Sequence, residues 1–476
     1  MTAQRAGRRE DQRFITGRGR YTSDWNLPGQ LYAAFRRSDR AHAVIRKLDT
    51  SAAAASAGVV AVFTGDDIAD AGLREIPPMM PFPGRGGTKI LVPERPLLAR
   101  SRVRFVGEAV AMVIANTAAD AADAAELIDI DYDDLPVAIG FDKALASNMP
   151  AIYSNIPGNV CFDVDYGDEA KAAAAFARAD HVVEATIDSP RVAPTPMEPR
   201  AVLASYDPAS GSYEIRCGNQ GGIAMRDALA AMLGVAPAAV RVHMVDVGGA
   251  FGSRTQPFPE NAVMLHAAKQ LGKPIKWAST RSEDFLTDFH GRAIRVSGEL
   301  GFDRAGKFLA FRTTWLCDSG AYLSSAGAMT NTSNGMSISS GVYEVEAFYG
   351  RHRQVITNTA PTSAFRGAGR PEAALIIEHL VDKAAQVLKL DPLEVRRRNL
   401  IAREKMPYKT HTNTVFESGD FRALVDRAER ESGWREFPER HASAAKSGKL
   451  RGIGCAVFIE PSGGGGVPKD QVAIQF

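Results

Sequence analysis

Residues 240–254 read Val-Arg-Val-His-Met-Val-Asp-Val-Gly-Gly-Ala-Phe-Gly-Ser-Arg, an apolar strand-like run that leads into a loop with three glycines. A helical pattern from about Glu260 to Leu271 follows and ends at a glycine, the usual stop signal of a helix. The same order occurs earlier, where a strand at Tyr213–Cys217 leads through a glycine-rich loop into a helix at Ile223–Leu233. Strands that alternate with helices in this way predict an α/β fold, of mixed α+β character.

The first part of the chain has the composition of a compact α/β domain. Strands are predicted at Leu31–Phe35, Val59–Phe63 and Val110–Ala115, and a helix is predicted at Ala118–Leu127. The stretch Asn148–Asp168 is rich in proline and glycine, which is typical of a link between domains. We therefore expect the first domain to end near residue 145 and the rest to form a separate α/β lobe with its own sheet.

The C-terminal part continues with helices and then strands. Pro371 suits the first turn of a long amphipathic helix, and Ser418 is expected to cap a later helix that Gly433 ends. Residues Ile453–Ile459 and Gln471–Phe476 alternate as strands do, and no terminating signal follows the second. We therefore expect the chain to stop inside a domain.

Composition excludes several classes of protein. The net charge of +2 over 476 residues provides no broad basic field for nucleic acid, and no apolar run reaches the ~20 residues of a membrane helix. The four cysteines are widely spaced, so we expect reduced core residues in a cytoplasmic protein without a signal peptide, rather than a zinc or iron–sulfur site. Arg8 and Arg9 precede Glu10 and Asp11 instead of an apolar segment, which predicts a solvated N-terminal arm rather than an export signal.

Three loops contain more glycine and polar residues than a plain turn requires. We call residues 218–222 loop 1, residues 248–254 loop 2 and residues 364–371 loop 3. Each precedes a predicted helix, where glycines allow close approach of a ligand and free N–H groups favour an anion. Tight connections without any ligand are the alternative interpretation. Together the loops favour a phosphate-bearing or oxyanionic cofactor, and we expect them to converge, with Gln220, Phe251 and Arg366 bordering a common cleft.

A nicotinamide-dependent dehydrogenase is the weaker alternative. Loop 3 contains Gly367-Ala368-Gly369, but Arg370 and Pro371 follow with no third glycine, unlike the G-x-G-x-x-G fingerprint. None of the three loops has the G-K-[ST] ending of a P-loop. Glu198, between a methionine and a proline, either fixes a bend or belongs to a site, and we assign it no catalytic role.

Five stretches resemble, in order, landmarks of the large subunits of molybdenum hydroxylases, the group of xanthine dehydrogenase, aldehyde oxidase and aerobic carbon monoxide dehydrogenase. They are Phe14–Tyr21, Arg104–Ala111, Pro196–Arg200, Gly248–Arg254 and Ala364–Ala373. The resemblance implies an aldehyde oxidase/xanthine dehydrogenase a/b hammerhead-like domain over residues 1–147. It further implies a first molybdopterin-binding lobe over 160–410 and the incomplete start of a second lobe over 415–476.

The resemblance also implies a molybdenum–pyranopterin (molybdopterin) cofactor, bound as a dinucleotide, whose metal is held by the pterin dithiolene and by no side chain. Gln220 would then hydrogen-bond the apical oxo group of molybdenum, and Arg366 would face the cofactor from loop 3. The family's general-base glutamate is expected outside this chain, so no catalytic residue is assigned. The residues implied to bind the cofactor are Gln220, Gly249, Phe251, Gly252, Arg366, Gly367 and Ala368.

The implied activity is oxidation of an aldehyde or an N-heteroaromatic ring with oxygen from water, with electrons passed to [2Fe–2S] and FAD subunits. Gly367 stands where carbon monoxide dehydrogenases of the family carry a copper-binding cysteine, and Thr255 and Gln256 stand where xanthine-type enzymes place an acid. Carbon monoxide and purines are therefore poor candidates.

The expected partners are an iron–sulfur small subunit and an FAD-binding medium subunit. If the large subunit is naturally split into two polypeptides rather than truncated, a further partner would be a chain that carries the rest of the second lobe. We expect the chain alone to be inactive. A non-catalytic fragment or assembly scaffold of the same fold is the remaining alternative.

Overall fold

The computed structural model describes residues 7–75 and 83–460, in which helices and strands are mixed as predicted. The strands are β1 (Leu31–Arg37), β2 (Ala43–Asp49), β3 (Val59–Thr64), β4 (Arg102–Val103), β5 (Ala109–Ala115), β6 (Asp129–Asp134), β7 (Val160–Gly167), β8 (His181–Ser189), β9 (Ala201–Asp207), β10 (Ser212–Cys217), β11 (Val240–His243), β12 (Ile275–Ala278), β13 (Ile294–Phe302), β14 (Phe308–Gly320), β15 (Ala347–Ile356), β16 (Tyr408–Lys409) and β17 (Val415–Phe416). The helices are α1 (Asp11–Ile15), α2 (Ser51–Ala54), α3 (Gly65–Asp70), α4 (Ala118–Glu126), α5 (Phe141–Ala144), α6 (Glu169–Phe176), α7 (Gly222–Leu233), α8 (Pro259–Leu271), α9 (Arg281–Thr287), α10 (Gly327–Met329), α11 (Gly335–Ser337), α12 (Arg370–Leu388), α13 (Pro392–Asn399), α14 (Phe421–Ser432) and α15 (Phe437–Lys446).

A seven-stranded sheet, in the order β11-β10-β9-β12-β1-β5-β3, contains strands from both sides of residues 148–168. At its seam β1 pairs with β12 in parallel, with Leu31 opposite Ile275. The prediction of a separate sheet for each part is therefore wrong. The physical reason is that β1 would otherwise present an unpaired edge. In addition, Phe35 packs edge-to-face on Trp277 with ring centroids 5.2 Å apart, so one core continues across the seam.

The N-terminal part also has a small sheet of its own, in the order β4-β2-β6. Helix α4 begins after Thr117, whose hydroxyl accepts the N–H of Asp120 at 3.1 Å, as an N-cap residue does. The predicted helix at Ala118–Leu127 is confirmed to within one residue.

A five-stranded sheet, in the order β7-β15-β14-β13-β8, packs against helix α12. The helix approaches β13 closely at Gly298, where a Cβ atom would lie 2.7 Å from Cγ1 of Ile376. Pro371 lies in the first turn of α12, as predicted. Because α12 begins inside loop 3, its packing on the sheet fixes the position of that loop.

The predicted strand at Ile453–Ile459 is wrong, because the chain there has no regular secondary structure. Its backbone is held by side chains instead of by a neighbouring strand. Arg396 donates to the Cys455 carbonyl at 2.8 Å, and Glu378 accepts the N–H of Val457 at 3.0 Å. The alternation reflects burial rather than strand pairing, since three apolar side chains pack against the core: Cys455, Val457 and Ile459.

Helix α14 is capped by Asp420, which accepts the N–H of Ala423 at 3.0 Å, and not by Ser418 as predicted. It ends at Gly433, as predicted. The predicted strand at Gln471–Phe476 lies outside the described residues. Among the helices of the described ranges, none has the length and apolar character needed to cross a membrane.

Candidate functional site

The three glycine-rich loops contact one another. The N–H of Gln220 in loop 1 donates to the Arg254 carbonyl of loop 2 at 3.1 Å, and Oε1 of Gln220 accepts the N–H of Gly252 at 2.7 Å. The N–H of Arg366 in loop 3 donates to the Phe251 carbonyl of loop 2 at 2.8 Å. The predicted meeting of the three loops is confirmed, whereas the common cleft stays a prediction. That these residues bind a cofactor stays a prediction.

The predicted cofactor-binding residues lie at the surface of this junction. The side chains of Gln220, Phe251 and Arg366 are exposed. Within residues 7–75 and 83–460, Nε2 of Gln220 has no hydrogen-bond partner. A ligand at the junction can therefore reach a free amide group as well as loop backbone. The half-buried members of the predicted set are Gly249, Gly252, Gly367 and Ala368.

Loop 2 presents backbone donors without acceptors. Among the residues that the structure describes, none accepts the N–H groups of Gly249, Ala250 and Phe251. Phe251 has a φ of 52° and Ala368 a φ of 51°, a conformation that costs a residue with a side chain roughly 1–2 kcal/mol. Successive free N–H groups in a turn form a concave site for anions. These features favour an oxyanionic or phosphate group at loop 2.

A buried ion pair between Glu198 and Arg254 supports loop 2. Oε2 of Glu198 lies 3.1 Å from Nη1 of Arg254 and accepts the N–H of Gly248 at 2.8 Å. The two side chains are 8% and 3% exposed, and Arg254 also donates to the Glu198 carbonyl. A Cβ atom at Gly248 would collide with the side chain of Glu198. The role of Glu198 is therefore to position loop 2.

A second ion pair, between Arg292 and Glu372, supports loop 3. Nε of Arg292 lies 3.3 Å from Oε1 of Glu372, and Nη2 of Arg292 donates to the Arg366 carbonyl at 2.6 Å. The guanidinium group of Arg292 also lies over the ring of Phe365, 5.0 Å from its centroid. Glu372 is 3% exposed. Loop 3 is thus held at the Arg366 carbonyl by a buried carboxylate that acts through Arg292.

Sequence reasoning did not identify Arg254, Arg292 and Glu372 as residues that support the loops. The available signal was a charged residue inside a glycine-rich landmark, which Arg254 and Glu372 both are. The partners lie 56 and 80 residues away along the chain, and no local pattern indicates such a pairing.

The N-terminal arm is exposed over residues 7–12, as expected, but from Arg13 onward it is also tied to the body of the protein. Arg8 and Asp11 are exposed, but Arg13 forms an ion pair with Asp246, at the entrance to loop 2. Oδ2 of Asp246 also accepts the N–H of Arg20 at 2.7 Å. The arm docks here because the Asp246 carboxylate pairs with the positive charge of Arg13. We call residues 13–25 the docked arm.

A cluster of buried charges lies where β1, α8 and α9 meet. Arg200 and Arg37 lie 3.2 Å and 2.8 Å from the carboxylate of Glu260. Burial alone would raise the pKa of Glu260, but the two arginines outweigh it and lower that pKa to about 2. Burial raises the pKa of Asp288 to about 6, because Arg200 compensates only in part and Asp284 adds a like charge. The cluster therefore holds one carboxyl group that binds its proton unusually tightly in the folded state.

The raised pKa of Asp288 should make stability depend on pH. Between the ordinary value of 3.8 and about 6 the folded state binds more protons than the unfolded state, so the free energy of unfolding falls as the pH rises through this window. Asp288→Asn removes the titration. We expect wild type to lose about 2 kcal/mol relative to the variant between pH 4.5 and pH 7.5. Urea unfolding of both proteins at the two pH values measures this; a difference between them that does not change with pH would contradict it.

Two family descriptions match the chain, in the order in which its parts occur. Residues 16–136 match the a/b hammerhead domain of aldehyde oxidase and xanthine dehydrogenase, and residues 152–400 match the molybdopterin cofactor-binding domain. Loops 1, 2 and 3 all lie within the second match. The contacts between these loops therefore belong to the part of the chain that resembles a cofactor-binding domain.

Several proteins are similar to the chain over most of its length. It is 34% identical over 469 residues to the nicotine 6-hydroxylase large subunit of Paenarthrobacter nicotinovorans, covering 97% of this chain and 56% of that protein. It is 32% identical to the carbon monoxide dehydrogenase large chain of Hydrogenophaga pseudoflava, covering 97% of this chain and 58% of that protein. The crystal structure of quinoline 2-oxidoreductase from Pseudomonas putida 86 superimposes with a TM-score of 0.87 at 33% identity, over 93% of this chain and 56% of that chain. The chain thus spans slightly more than half the length of these relatives.

Proposed function

This chain belongs to the molybdopterin-binding large subunits of the molybdenum hydroxylases, and we propose that its three glycine-rich loops bind a molybdenum–pyranopterin dinucleotide for the oxidation of an N-heteroaromatic ring or an aldehyde. The observation that carries the proposal is the hydrogen-bonded junction of loops 1, 2 and 3. A nicotinamide-dependent dehydrogenase needs a fingerprint that these loops lack. Oxygen for the product comes from water.

The residues at the junction fit such a cofactor. No described residue accepts from Nε2 of Gln220 or from the N–H groups of Gly249, Ala250 and Phe251, which leaves the first as a donor for an oxo group and the others as donors for oxyanions. The bound cofactor would supply the two-electron oxidation chemistry. The chain itself supplies these donors. The buried ion pairs that brace loops 2 and 3 would hold the junction in shape and so orient the cofactor.

Position 367 argues against carbon monoxide as substrate. Gly367 has a φ of +90°, and a Cβ atom there would collide with the ring of Pro371. A cysteine at this position, as in the copper-containing carbon monoxide dehydrogenases, would need a different course of loop 3. The names of two relatives, a nicotine hydroxylase and a quinoline oxidoreductase, favour an N-heteroaromatic ring over an aldehyde.

The proposed activity requires further polypeptide. The matched relatives are named as large subunits or large chains, and this chain spans 56–58% of the two described above. We propose an iron–sulfur small subunit and an FAD-binding medium subunit as electron carriers. Residues equivalent to the rest of the large subunit would supply the catalytic glutamate. The chain alone should then show no turnover.

The test is to produce the chain with and without the neighbouring gene products, and to measure molybdenum content and quinoline- or aldehyde-dependent dye reduction. We expect metal retention and turnover only in the complex. Gln220→Ala should lower turnover by about 10- to 100-fold, because one preorganised donor is lost, whereas the exposed Gln386→Ala on α12 should not. Turnover by the lone chain, or a complex without molybdenum, would contradict the proposal; the second result would favour an assembly scaffold.

A further inference from the structure

Asp246 joins the docked arm to the entrance of loop 2. Its Oδ2 accepts the N–H of Arg20 at 2.7 Å and the side chain of Arg13, while its own N–H donates to the Arg20 carbonyl at 3.3 Å. The hydrogen bond from Arg13 lowers the pKa of Asp246, so the carboxylate is ionised when the arm is in place. Asp246 stands two residues before Gly248, the first residue of loop 2.

Glu198 makes a second connection of the same kind. Its Oε1 accepts the N–H of Thr22 in the docked arm at 3.1 Å, and its Oε2 accepts the N–H of Gly248 in loop 2 at 2.8 Å. The backbone N–H of Glu198 also donates to the Gly248 carbonyl at 3.1 Å. One carboxylate thus bonds the arm on one oxygen and the loop on the other. Two acidic side chains, from different parts of the chain, tie the same two segments together.

The docked arm is itself fixed to the body of the protein. Nζ of Lys276 on β12 donates to the Ser23 carbonyl at 2.7 Å and to Oδ1 of Asn26 at 2.8 Å. The guanidinium group of Arg216 on β10 also lies over the ring of Trp25 in the arm, 5.2 Å from its centroid. The arm can therefore resist movement of loop 2, since its far end is anchored on the shared sheet.

We propose that the docked arm holds loop 2 in its binding shape, with Asp246 as the positioning residue. Asp246 connects the arm to the N–H groups of Gly249, Ala250 and Phe251, for which the described residues provide no acceptor. That these groups meet a molybdopterin cofactor rests on the function proposed above. The positioning of loop 2 by the arm does not rest on that function, because the hydrogen bonds that produce it lie within this chain. The two parts of the proposal can be tested separately.

Hydrogen exchange of the full chain tests the hold of the arm. In Asp246→Ala the N–H of Arg20 loses its acceptor and should exchange faster. The N–H of Gly248, which Asp246 does not contact, should also exchange about 10-fold faster, because the loss of hydrogen bonds to a charged group makes local opening of the loop easier. Arg13→Gln should act in the same direction and Arg13→Lys should restore slow exchange. The matched control is Asp180→Ala, because Asp180 likewise accepts an arginine side chain at 2.9 Å and a backbone N–H at 3.1 Å, both from Arg304.

The readout at Gly248 separates positioning from a purely local bond. Faster exchange at Arg20 alone, or equal acceleration by Asp180→Ala, would overturn the proposal. If Asp246→Ala does not fold, the two Arg13 variants give the same test from a partly exposed position.

Molybdenum retention by the assembled complex tests the link to the cofactor. We expect about 10-fold less metal in Asp246→Ala than in Asp180→Ala. Wild-type retention in Asp246→Ala despite faster exchange would overturn the link while leaving the proposed function standing. Absence of metal from wild type itself would instead count against the proposed function, and the exchange data would still decide the role of the arm.

Discussion

Glu198→Gln should lower the free energy of unfolding by about 3–5 kcal/mol. The carboxylate is the partner of Arg254, and both side chains are almost fully buried, so the variant leaves a guanidinium charge inside the protein without its counter-ion. Nε of Arg254 already has no hydrogen-bond partner among the described residues, which leaves little means of compensation. Urea unfolding at neutral pH measures the change.

The control is Glu299→Gln, which removes the carboxylate of an exposed pair. Glu299 lies 2.6 Å from Arg312, but these side chains are 35% and 38% exposed. Solvent screens such a pair, so its loss should cost about 0–1 kcal/mol. Similar losses in the two variants would mean that Glu198 and Arg254 are not buried as a pair and that loop 2 is supported in some other way.

Gly252→Ala should add about 2–5 kcal/mol of strain to loop 2 and so weaken the site. The residue has a φ of +101°, and an added Cβ atom would lie 2.7 Å from the Ala364 carbonyl oxygen of loop 3. For an alanine, the positive φ costs roughly 1–2 kcal/mol, and the contact with the Ala364 carbonyl oxygen costs roughly 1–3 kcal/mol more. The loops can avoid the collision only by separating, which breaks the bond from Gly252 to Gln220. We therefore expect at least about a 10-fold loss of molybdenum from the assembled complex.

The matched substitution is Gly452→Ala, because a Cβ atom there meets nothing within 4 Å and no positive φ is required. It should change the free energy of unfolding by no more than about 0.5 kcal/mol and leave metal content unchanged. Normal metal content in Gly252→Ala would show that the contact between loops 2 and 3 is not needed for binding.

Features with a local physical cause could be predicted from the sequence. Helix α8 ends at Gly272 and α12 has a proline in its first turn, and both were predicted from those residues. The junction of the three loops could also be anticipated, because each has the glycines that a close backbone approach requires. Their residues were predicted as a set, although the role of each toward a ligand stays a prediction.

Features that depend on distant parts of the chain could not be predicted. The seam between β1 and β12 joins residues that lie more than two hundred positions apart, and a strand's sequence does not say which edge it will pair with. Likewise Glu198 could be noticed but not interpreted, because Arg254 completes its environment only in the folded chain. At residues 455–457 the alternation of apolar and polar residues does reflect burial, but the backbone hydrogen bonds go to the side chains of Arg396 and Glu378 and not to a neighbouring strand.

The shared sheet restricts how this protein can exchange parts with its relatives during evolution. Recombination at residues 148–168 looks easy in the sequence, since the crossover would fall in a connecting segment. A foreign N-terminal part would nevertheless have to bring a strand whose backbone matches β12 and an aromatic ring that fits Trp277. The two parts should therefore be inherited together, as a single unit of selection, even though they resemble separate domain families.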